Sequence, residues 1–275
     1  GLYILLIVKK KITLIAEIGE NYLGNISFAK KLIDEAKKSG ADYAKFQSYN
    51  ELCLKKSDPE YNWFKKVSLT DKNHLVLKKH CKKKKIQFLS SPFSMERAKF
   101  LCEKLNMQTI KVASCKMHEK NILKYLNQKC KKIFLSTGMA TIKEIKNSLK
   151  YLSNPEVVIM HCVSEYPLPE KNANLLAIKV LQKHFPKNQI GYSDHTIGVV
   201  ASLTAVALGA TVIEKHFTLN KKLEGTDHIL SADPMDLKQI SSEVKKISSL
   251  LGIEVKKPSK NENKIKSFMR KRFVI

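Results

Sequence analysis

The stretch ITLIAEIGENYLGNISFAKKLIDEAKKSGADYAKFQ, residues 12–47, contains the unit that decides the fold. Apolar and β-branched residues over 12–18 predict a strand, and the apolar run over 43–47 predicts a second one. Between them, apolar residues recur at helical spacing after Ser27, which we expect to cap the helix, and Gly40 ends the pattern. This order of strand, helix and strand is typical of a parallel sheet covered by helices.

The same unit recurs along the chain at intervals of about 25 to 30 residues. Six further strands are predicted over 86–90, 109–113, 132–136, 157–162, 189–193 and 211–217. Eight such units within about 240 residues favour the α/β class and a closed (β/α)8 TIM barrel. An open doubly wound sheet is the alternative, but the glycine-rich first turn that usually marks it is absent from the sequence.

Several helix ends can be predicted from single residues. Thr70 is expected to cap the second helix, and Thr141 with Glu144 forms a capping box at the fifth. Asp233, which precedes a proline, is expected to open the last barrel helix, running to residue 251. Residues 199–208 are apolar on almost every side, so this helix is predicted to be buried.

The composition describes a globular but strongly basic chain. Its 275 residues include 50 Lys plus Arg against 25 Asp plus Glu, a formal net charge of +25, and 43% are hydrophobic, which excludes a disordered chain. A basic protein suggests nucleic acid as a partner, yet three of the 50 basic residues are arginine, the residue that groove readers favour. We therefore expect lysine-rich exposed faces and no nucleic-acid partner.

Six cysteines without a CxxC pair or zinc spacing predict reduced thiols and a cytoplasmic protein. The apolar runs 2–8 and 198–213 are shorter than a membrane span, so no membrane association is expected. Residues 1–252 are predicted to form the catalytic barrel. Residues 253–275 change to a charged composition and are predicted to be a C-terminal tail or a linker.

The carboxyl ends of barrel strands form the face on which TIM-barrel enzymes place their active sites. In this sequence, polar or ionisable residues end every predicted strand. Packing in an apolar barrel does not explain so many polar endings, so the sequence predicts an active site at this face. The residues concerned include Glu17, Lys45, Gln47, Ser91, Ser114, Ser136, Tyr166, Ser193, His195 and His216.

Two histidines follow neighbouring strands, His195 after the seventh and His216 at the end of the eighth. Two imidazoles at adjacent strand ends can bind one divalent cation and leave positions for water or substrate. A lone histidine is more often structural. The pair, with Glu17 and Asp227 able to reach the same opening, favours a metal site.

Lys45 and Lys111 lie inside apolar strands, where an unpaired ammonium would be costly. Directed at the barrel opening, they suit a phosphate or a carboxylate. Serine hydroxyls at strand ends also cap helices, so each one is weak evidence, but together they suit a phosphate. Cys115 and Cys162 lie near the same face without a partnering base, so we interpret them as core fillers. The serines are Ser91, Ser114, Ser136 and Ser193.

Nine short motifs occur in order along residues 12–272. They are AEIGEN (16–21), GADYAKFQSY (40–49), SPFS (91–94), KVAS (111–114), LSTGMAT (135–141), HCVSEYPLP (161–169), GYSDHTIG (191–198), EKHFTL (214–219) and GTDHILS (225–231). Together they resemble the N-acetylneuraminate (sialic acid) synthase family. The resemblance implies a transferase that condenses phosphoenolpyruvate with the aldehyde of an N-acetylated amino sugar, such as N-acetylmannosamine, and releases phosphate. It also implies a divalent metal, Mn2+ or Mg2+, and a homodimer.

The resemblance also implies residue roles. His195 and His216 match metal ligands. Glu17, Gln47 and Asp227 match positions near the sugar or a metal-bound water, and either Glu17 or Asp227 could act on that water. The predicted catalytic residues are Glu17, Lys45, Gln47, Tyr166 and Asp227, and the predicted substrate-binding residues are Ser91, Lys111, Ser114, Ser136 and Ser193.

Two departures from the family pattern bear on the substrate. Lys116 stands where family members commonly place a carboxylate at the sugar, and it is expected either to face the sugar or to point outward and pair with Glu119. Many members continue into an antifreeze-like C-terminal domain, to which residues 253–275 would be the linker. Two alternatives stay open: a related synthase that uses a sugar phosphate, and a weakened barrel that acts as a basic binding protein.

Overall fold

The computed structural model describes residues 11–253 and 255–272, so the predicted apolar run 2–8 lies outside the described residues. Eight strands form one parallel sheet in the order β3-β2-β1-β8-β7-β6-β5-β4. The end strands β3 and β4 approach within 8 Å between Cα atoms, which nearly closes the barrel. The strands are β1 Thr13–Glu17, β2 Tyr43–Ser48, β3 Gln87–Pro92, β4 Thr109–Val112, β5 Lys132–Ser136, β6 Glu156–Cys162, β7 Gln189–Asp194 and β8 Val212–His216. The predicted (β/α)8 barrel is confirmed.

Helices lie between the strands, and two more follow β8. They are α1 Ile26–Lys38, α2 Tyr61–Val67, α3 Asp71–Lys84, α4 Met95–Lys99, α5 Lys120–Lys129, α6 Ile142–Leu149, α7 Ala177–His184, α8 Val200–Ala207, α9 Pro234–Leu250 and α10 Lys260–Arg270. Helix α4 continues as a π-helical turn over Phe100–Lys104. Among the described residues, no helix is both long and apolar enough to cross a membrane.

Most predicted helix caps are confirmed. Thr70, Thr141 with Glu144, and Asp233 cap their helices as expected. The predicted cap residue of α1 was wrong, because Asn25, not Ser27, accepts a hydrogen bond from the Phe28 amide at 3.0 Å.

Two apolar layers surround the sheet. Inside the barrel, Ile15, Leu89, Phe134, Val158, Met160 and Val212 fill the space below the carboxyl ends of the strands. Outside it, the helices pack on the sheet through a larger core. Burying each such side chain stabilises the fold by about 1.5 to 3 kcal/mol. The interior below the carboxyl ends of the strands is therefore filled by these six side chains.

Helix α8 differs from its prediction. Ala205 and Val206 are buried, but Val200 is 69% exposed, so the helix is not buried on every side. A helix in the outer layer of a barrel presents one face to the sheet and its neighbours, and apolar residues on the other face stay in water.

Candidate active site

A cavity of about 580 Å³ opens at the carboxyl ends of the strands. All twelve side chains that the sequence predicted for the site line this cavity, although they come from all eight strands or the loops after them. The reason is geometric, since the carboxyl ends of parallel barrel strands meet at one face. The twelve are Glu17, Lys45, Gln47, Ser91, Lys111, Ser114, Ser136, Tyr166, Ser193, His195, His216 and Asp227.

Two buried lysines meet two carboxylates in what we call the lysine cluster: Lys45, Lys111, Glu17 and Glu214. Lys45 Nζ lies 2.7 Å from Glu17 Oε2 and 3.6 Å from Glu214 Oε2, and Lys111 Nζ lies 3.1 Å from Glu214 Oε1. Burial alone would raise the pKa of Glu214, but the ammonium groups of Lys111 and Lys45 outweigh it and lower this pKa to about 2. Glu214 is thus held as a carboxylate between the two lysines at the cavity wall.

Sequence reasoning missed Glu214. Its signal was its spacing, because residues two apart on a strand share a face, and Glu214 precedes the predicted ligand His216 by two. Ser193 on β7 donates a hydrogen bond of 2.9 Å to Glu214 Oε1, which ties the two strands at the cavity.

The cavity also contains hydroxyls with unused hydrogen-bonding capacity. Ser91 Oγ and Ser136 Oγ are buried and have no partner among the described residues. Ser114 is engaged, since its Oγ accepts a bond from the Gly138 amide at 3.0 Å. Buried polar groups are nearly always paired, so free hydroxyls beside two lysines indicate a place for a polar, anionic ligand.

His195 and His216 lie side by side at the cavity, with ring centroids 5.5 Å apart. His195 Nδ1 lies 2.7 Å from the Val163 carbonyl oxygen, which only accepts, so this nitrogen carries the proton and Nε2 keeps a lone pair. His216 Nδ1 lies 3.2 Å from Asp227 Oδ2. Burial, together with the charge of His216, lowers the pKa of His195 to about 4, so its ring is neutral at pH 7.

These residues fit a divalent cation in part. A neutral imidazole whose other nitrogen is bound to a carbonyl is the usual form of a metal-ligating histidine. Buried His216 Nδ1 lacks a hydrogen-bond partner among the described residues, although Asp227 is close. No group of three or more His, Cys, Asp or Glu side chains in the described ranges is arranged around a single metal position. Two protein ligands, completed by water or substrate, are what this geometry offers.

Tyr166 packs on His195 and His216. Its ring centroid lies 4.1 Å from that of His195 and 6.0 Å from that of His216. It thereby covers one side of the pair.

An acidic cluster, which sequence reasoning did not identify as a unit, lies against His216: Glu20, Thr226 and Asp227. Glu20 Oε1 accepts a hydrogen bond of 2.8 Å from Thr226 Oγ1, and Thr226 Oγ1 also lies 3.3 Å from Asp227 Oδ1. Glu20 is 4% exposed, and burial together with the negative charge of Asp227 raises its pKa. Glu20 lines the cavity and has no lysine or arginine partner among the ion pairs of the described residues.

Lys116 takes the outward alternative. Its Nζ lies 3.5 Å from Glu119 Oε1, and its side chain does not line the cavity, whereas the neighbouring Cys115 does. Cys162 is buried, which agrees with its interpretation as a core filler, whereas Cys115 is exposed at the cavity wall, so that interpretation was wrong for Cys115. Partial desolvation raises the pKa of both thiols, which makes them poor nucleophiles. All six cysteines are free thiols.

The protein is a filled (β/α)8 barrel, and its lysines, carboxylates and histidines surround one cavity at the carboxyl face. This combination is typical of the TIM-barrel enzymes. The sequence model of the NeuB family matches residues 32–256, and the chain belongs to this family.

Named relatives agree with this assignment. The chain is 40% identical over 285 residues to the N,N'-diacetyllegionaminic acid synthase of Campylobacter jejuni subsp. jejuni serotype O:2, covering 96% of this chain and 85% of the relative. It is 35% identical over 248 residues to the N-acetylneuraminate-9-phosphate synthase of Drosophila melanogaster, covering 84% and 66%. The chain is therefore an enzyme of a family whose named members are acid synthases.

The fold agrees with a solved structure of the same kind. The N-acetylneuraminic acid (sialic acid) synthetase of Leptospira borgpetersenii serovar Hardjo-bovis, in complex with citrate, superimposes with a TM-score of 0.89 at 32% sequence identity. The match covers 95% of this chain and 92% of that one.

Proposed function

We propose that this enzyme condenses phosphoenolpyruvate with the open-chain aldehyde of an unphosphorylated N-acetylated amino sugar and releases phosphate, giving a nonulosonic (sialic-type) acid. The observation that carries the proposal is the pairing of two different clusters in one cavity, the lysine cluster and the acidic cluster, with two histidines between them. The names of the relatives support the same class of product.

Phosphoenolpyruvate is assigned to the lysine cluster. Its phosphate and carboxylate need cations and hydroxyl donors. Lys45 and Lys111 supply the cations. Ser91 and Ser136 supply hydroxyls that have no hydrogen-bond partner among the described residues. Glu214 neutralises part of the lysine charge when no ligand is bound, so the two ammonium groups stay oriented toward the cavity.

The sugar is assigned to the acidic cluster. Ionised Glu20 and Asp227 oxygens only accept hydrogen bonds, and sugar hydroxyls are good donors. His216 and Asp227 adjoin each other, which supports an orientation with the aldehyde end of the sugar beside the two histidines and its hydroxyls farther along the wall.

The reaction balances as one carbon–carbon bond and one carbon–oxygen bond formed and one carbon–oxygen bond broken. C3 of phosphoenolpyruvate bonds to the aldehyde carbon, whose oxygen gains a proton, and water adds at C2, from which phosphate leaves with its bridging oxygen. Either Glu17 or Asp227, both of which line the cavity, would take the proton of that water. A divalent cation held by His195 and His216 would supply Lewis-acid polarisation of the aldehyde oxygen.

A sugar phosphate is the runner-up acceptor, in agreement with the name of the Drosophila relative. Against it stands the wall beside the acidic cluster, where Glu20 and Glu60 line the cavity. The lysines among its described lining residues, Lys45 and Lys111, are the ones assigned to phosphoenolpyruvate. A second phosphate near Glu20 would be repelled by the negative charge of the carboxylates there. The site therefore favours a neutral sugar.

Phosphate release with a panel of aldoses tests the proposal. Metal-stripped protein with added Mn2+ should release phosphate from phosphoenolpyruvate when N-acetylmannosamine or a related diacetamido sugar is present, and less so with N-acetylmannosamine 6-phosphate. His195→Ala and His216→Ala should lose the metal-stimulated rate while staying folded. No phosphate release with any aldose, together with salt-sensitive nucleic-acid binding, would support the basic binding protein instead.

A further inference from the structure

A buried ion pair lies directly behind the two histidines, on the side of the sheet opposite the cavity. Along β7, Ser193 and His195 line the cavity, and along β8, Glu214 and His216 do so. Successive strand residues point to opposite faces. The two residues between them, Asp194 and Lys215, therefore point to the helix layer, where Ser202 of α8 donates a hydrogen bond of 2.7 Å to Asp194 Oδ2.

Stability is a weak reason for charges in this layer. Both side chains are 0% exposed, with Lys215 Nζ 3.1 Å from Asp194 Oδ2, amid the apolar core of sheet and helices. The attraction within a buried pair often fails to offset the loss of hydration, and apolar replacements can be equally stable. The best-attested role of such buried pairs is to favour one structural arrangement of the surrounding chain over alternative arrangements.

The contacts of the pair show which arrangement is selected. Asp194 and Lys215 face each other in the β7–β8 register. Asp194 Oδ1 accepts bonds from the Thr196 amide at 2.9 Å and from Thr196 Oγ1 at 2.8 Å, while Lys215 Nζ donates to the Thr196 carbonyl oxygen. Asp194 and Thr196, which flank His195, are thus both bound to Lys215, which precedes His216.

We propose that Asp194 and Lys215 are positioning residues that set the separation and orientation of His195 and His216 for a divalent cation. The inference rests on the metal in the proposed function. It goes beyond that function by assigning the geometry of the two imidazoles, 5.5 Å apart, to a charged pair that never contacts the ligand.

A matched pair of hydroxyl deletions tests the inference. Thr196→Val and Ser202→Ala each remove one buried hydroxyl that binds Asp194, but only Thr196 belongs to the turn that carries His195. We expect similar small losses of thermal stability from both. Titration of metal-free protein with Mn2+ should show affinity lowered about tenfold in Thr196→Val, equivalent to about 1.4 kcal/mol, and within about twofold of wild type in Ser202→Ala.

Charge removal supplies the second test. Lys215→Met should lower the melting temperature, because it leaves Asp194 buried without its counterion, and the double variant with Asp194→Asn should recover most of the loss. Positioning predicts that Mn2+ affinity stays low in the double variant. Recovery of both stability and affinity there, or wild-type affinity in Thr196→Val, would overturn the inference. Wild-type protein that binds no Mn2+ would contradict the metal in the proposed function as well.

Discussion

At the scale of single residues, Lys111 and Lys45 differ in their counterions. Among the ion pairs that the structure describes, Lys111 pairs with Glu214 alone, whereas Lys45 pairs with both Glu17 and Glu214. Replacing Lys111 leaves Glu214 with a remaining cation, so Lys111 is the safer position for a test of phosphoenolpyruvate binding. Loss of either lysine removes a charge-assisted donor from the cavity.

Lys111→Met should raise the KM for phosphoenolpyruvate by about tenfold or more and the KM for the sugar by less than about threefold. The reason is that the proposed function assigns this ammonium group to the anionic substrate and not to the sugar. Steady-state phosphate release measures both constants. Lys146→Met on the exposed side of α6 removes the same charge away from the cavity and should leave both constants unchanged. Equal increases for the two substrates would contradict the assignment.

Glu20→Gln should reduce the preference for a neutral sugar over its 6-phosphate by about tenfold, because it removes a negative charge while keeping an acceptor oxygen for hydroxyls. The quantity measured is the ratio of kcat/KM for N-acetylmannosamine to that for its phosphate. Glu165→Gln, at an exposed glutamate bonded to Asn172, is the matched control and should leave the ratio unaltered. An unchanged ratio in Glu20→Gln would show that charge repulsion at Glu20 is not the basis of the selectivity.

Lys116→Glu should change kcat/KM for the sugar by less than about twofold, because Lys116 lies outside the cavity and pairs with Glu119. Exposed ion pairs of this kind contribute little. The measurement is kcat/KM of the wild type and the variant on one sugar. An improvement of about tenfold or more would show that the side chain turns into the cavity during turnover.

At the scale of elements, local capping and strand pairing contribute in different ways. The cap of α1 comes from Asn25, whose side chain reaches an amide of the first turn. The pairing of β7 with β8 places charged residues in the helix layer and site residues at the cavity. A cap therefore affects one helix, whereas a strand register determines the side chains of a whole cavity wall.

Asn25→Ala should lower the free energy of unfolding by about 1 kcal/mol, because the Phe28 amide loses its acceptor. Ser27→Ala is the control, since Ser27 lies inside the helix and does not cap it. Urea denaturation of both variants measures the difference. A larger loss in Ser27→Ala than in Asn25→Ala would contradict the observed start of α1.

At the scale of the whole molecule, the fold contains ionisable groups buried far from the cavity. His74 of α3 is 0% exposed, its Nδ1 lies 2.9 Å from the Thr70 carbonyl oxygen, and its ring packs on Phe100. Burial lowers the pKa of His74 to about 4. Its protonation state links the stability of the barrel to pH.

Stability should fall as the pH decreases from about 6.5 to about 4. Over this interval His74 takes up a proton in the unfolded chain but not in the folded chain. The free energy of unfolding therefore decreases by on the order of 2 to 3 kcal/mol. His195, whose pKa is also lowered to about 4, acts in the same direction. In His74→Phe, the free energy of unfolding from urea titrations should depend less steeply on pH over this interval. An identical pH dependence would show that His74 does not titrate on unfolding.

Some expectations about the whole molecule stay predictions. They are the homodimer, the cytoplasmic location, the native metal, the absence of a nucleic-acid partner and the role of residues 253–275 as a linker. The described part of that segment contains α10, whose Ile265 and Phe268 are exposed.

The sequence by itself determined the barrel and the membership of the cavity wall. Strands are short apolar runs, caps lie within three residues of the amides they bind, and polar residues at strand ends must meet at one face of a barrel. All three signals are local, which is why twelve of the cavity side chains could be predicted without a structure.

Tertiary structure alone decided the pairings. Lys111 binds Glu214 across 103 residues, Thr226 binds Glu20 across 206, and Lys116 turned outward to Glu119 although the sequence allowed either direction. The exposed face of α8 and the pair Asp194–Lys215 likewise depend on which elements pack together. Local patterns place a residue on a strand face, but its partner across the barrel is set only when the sheet closes.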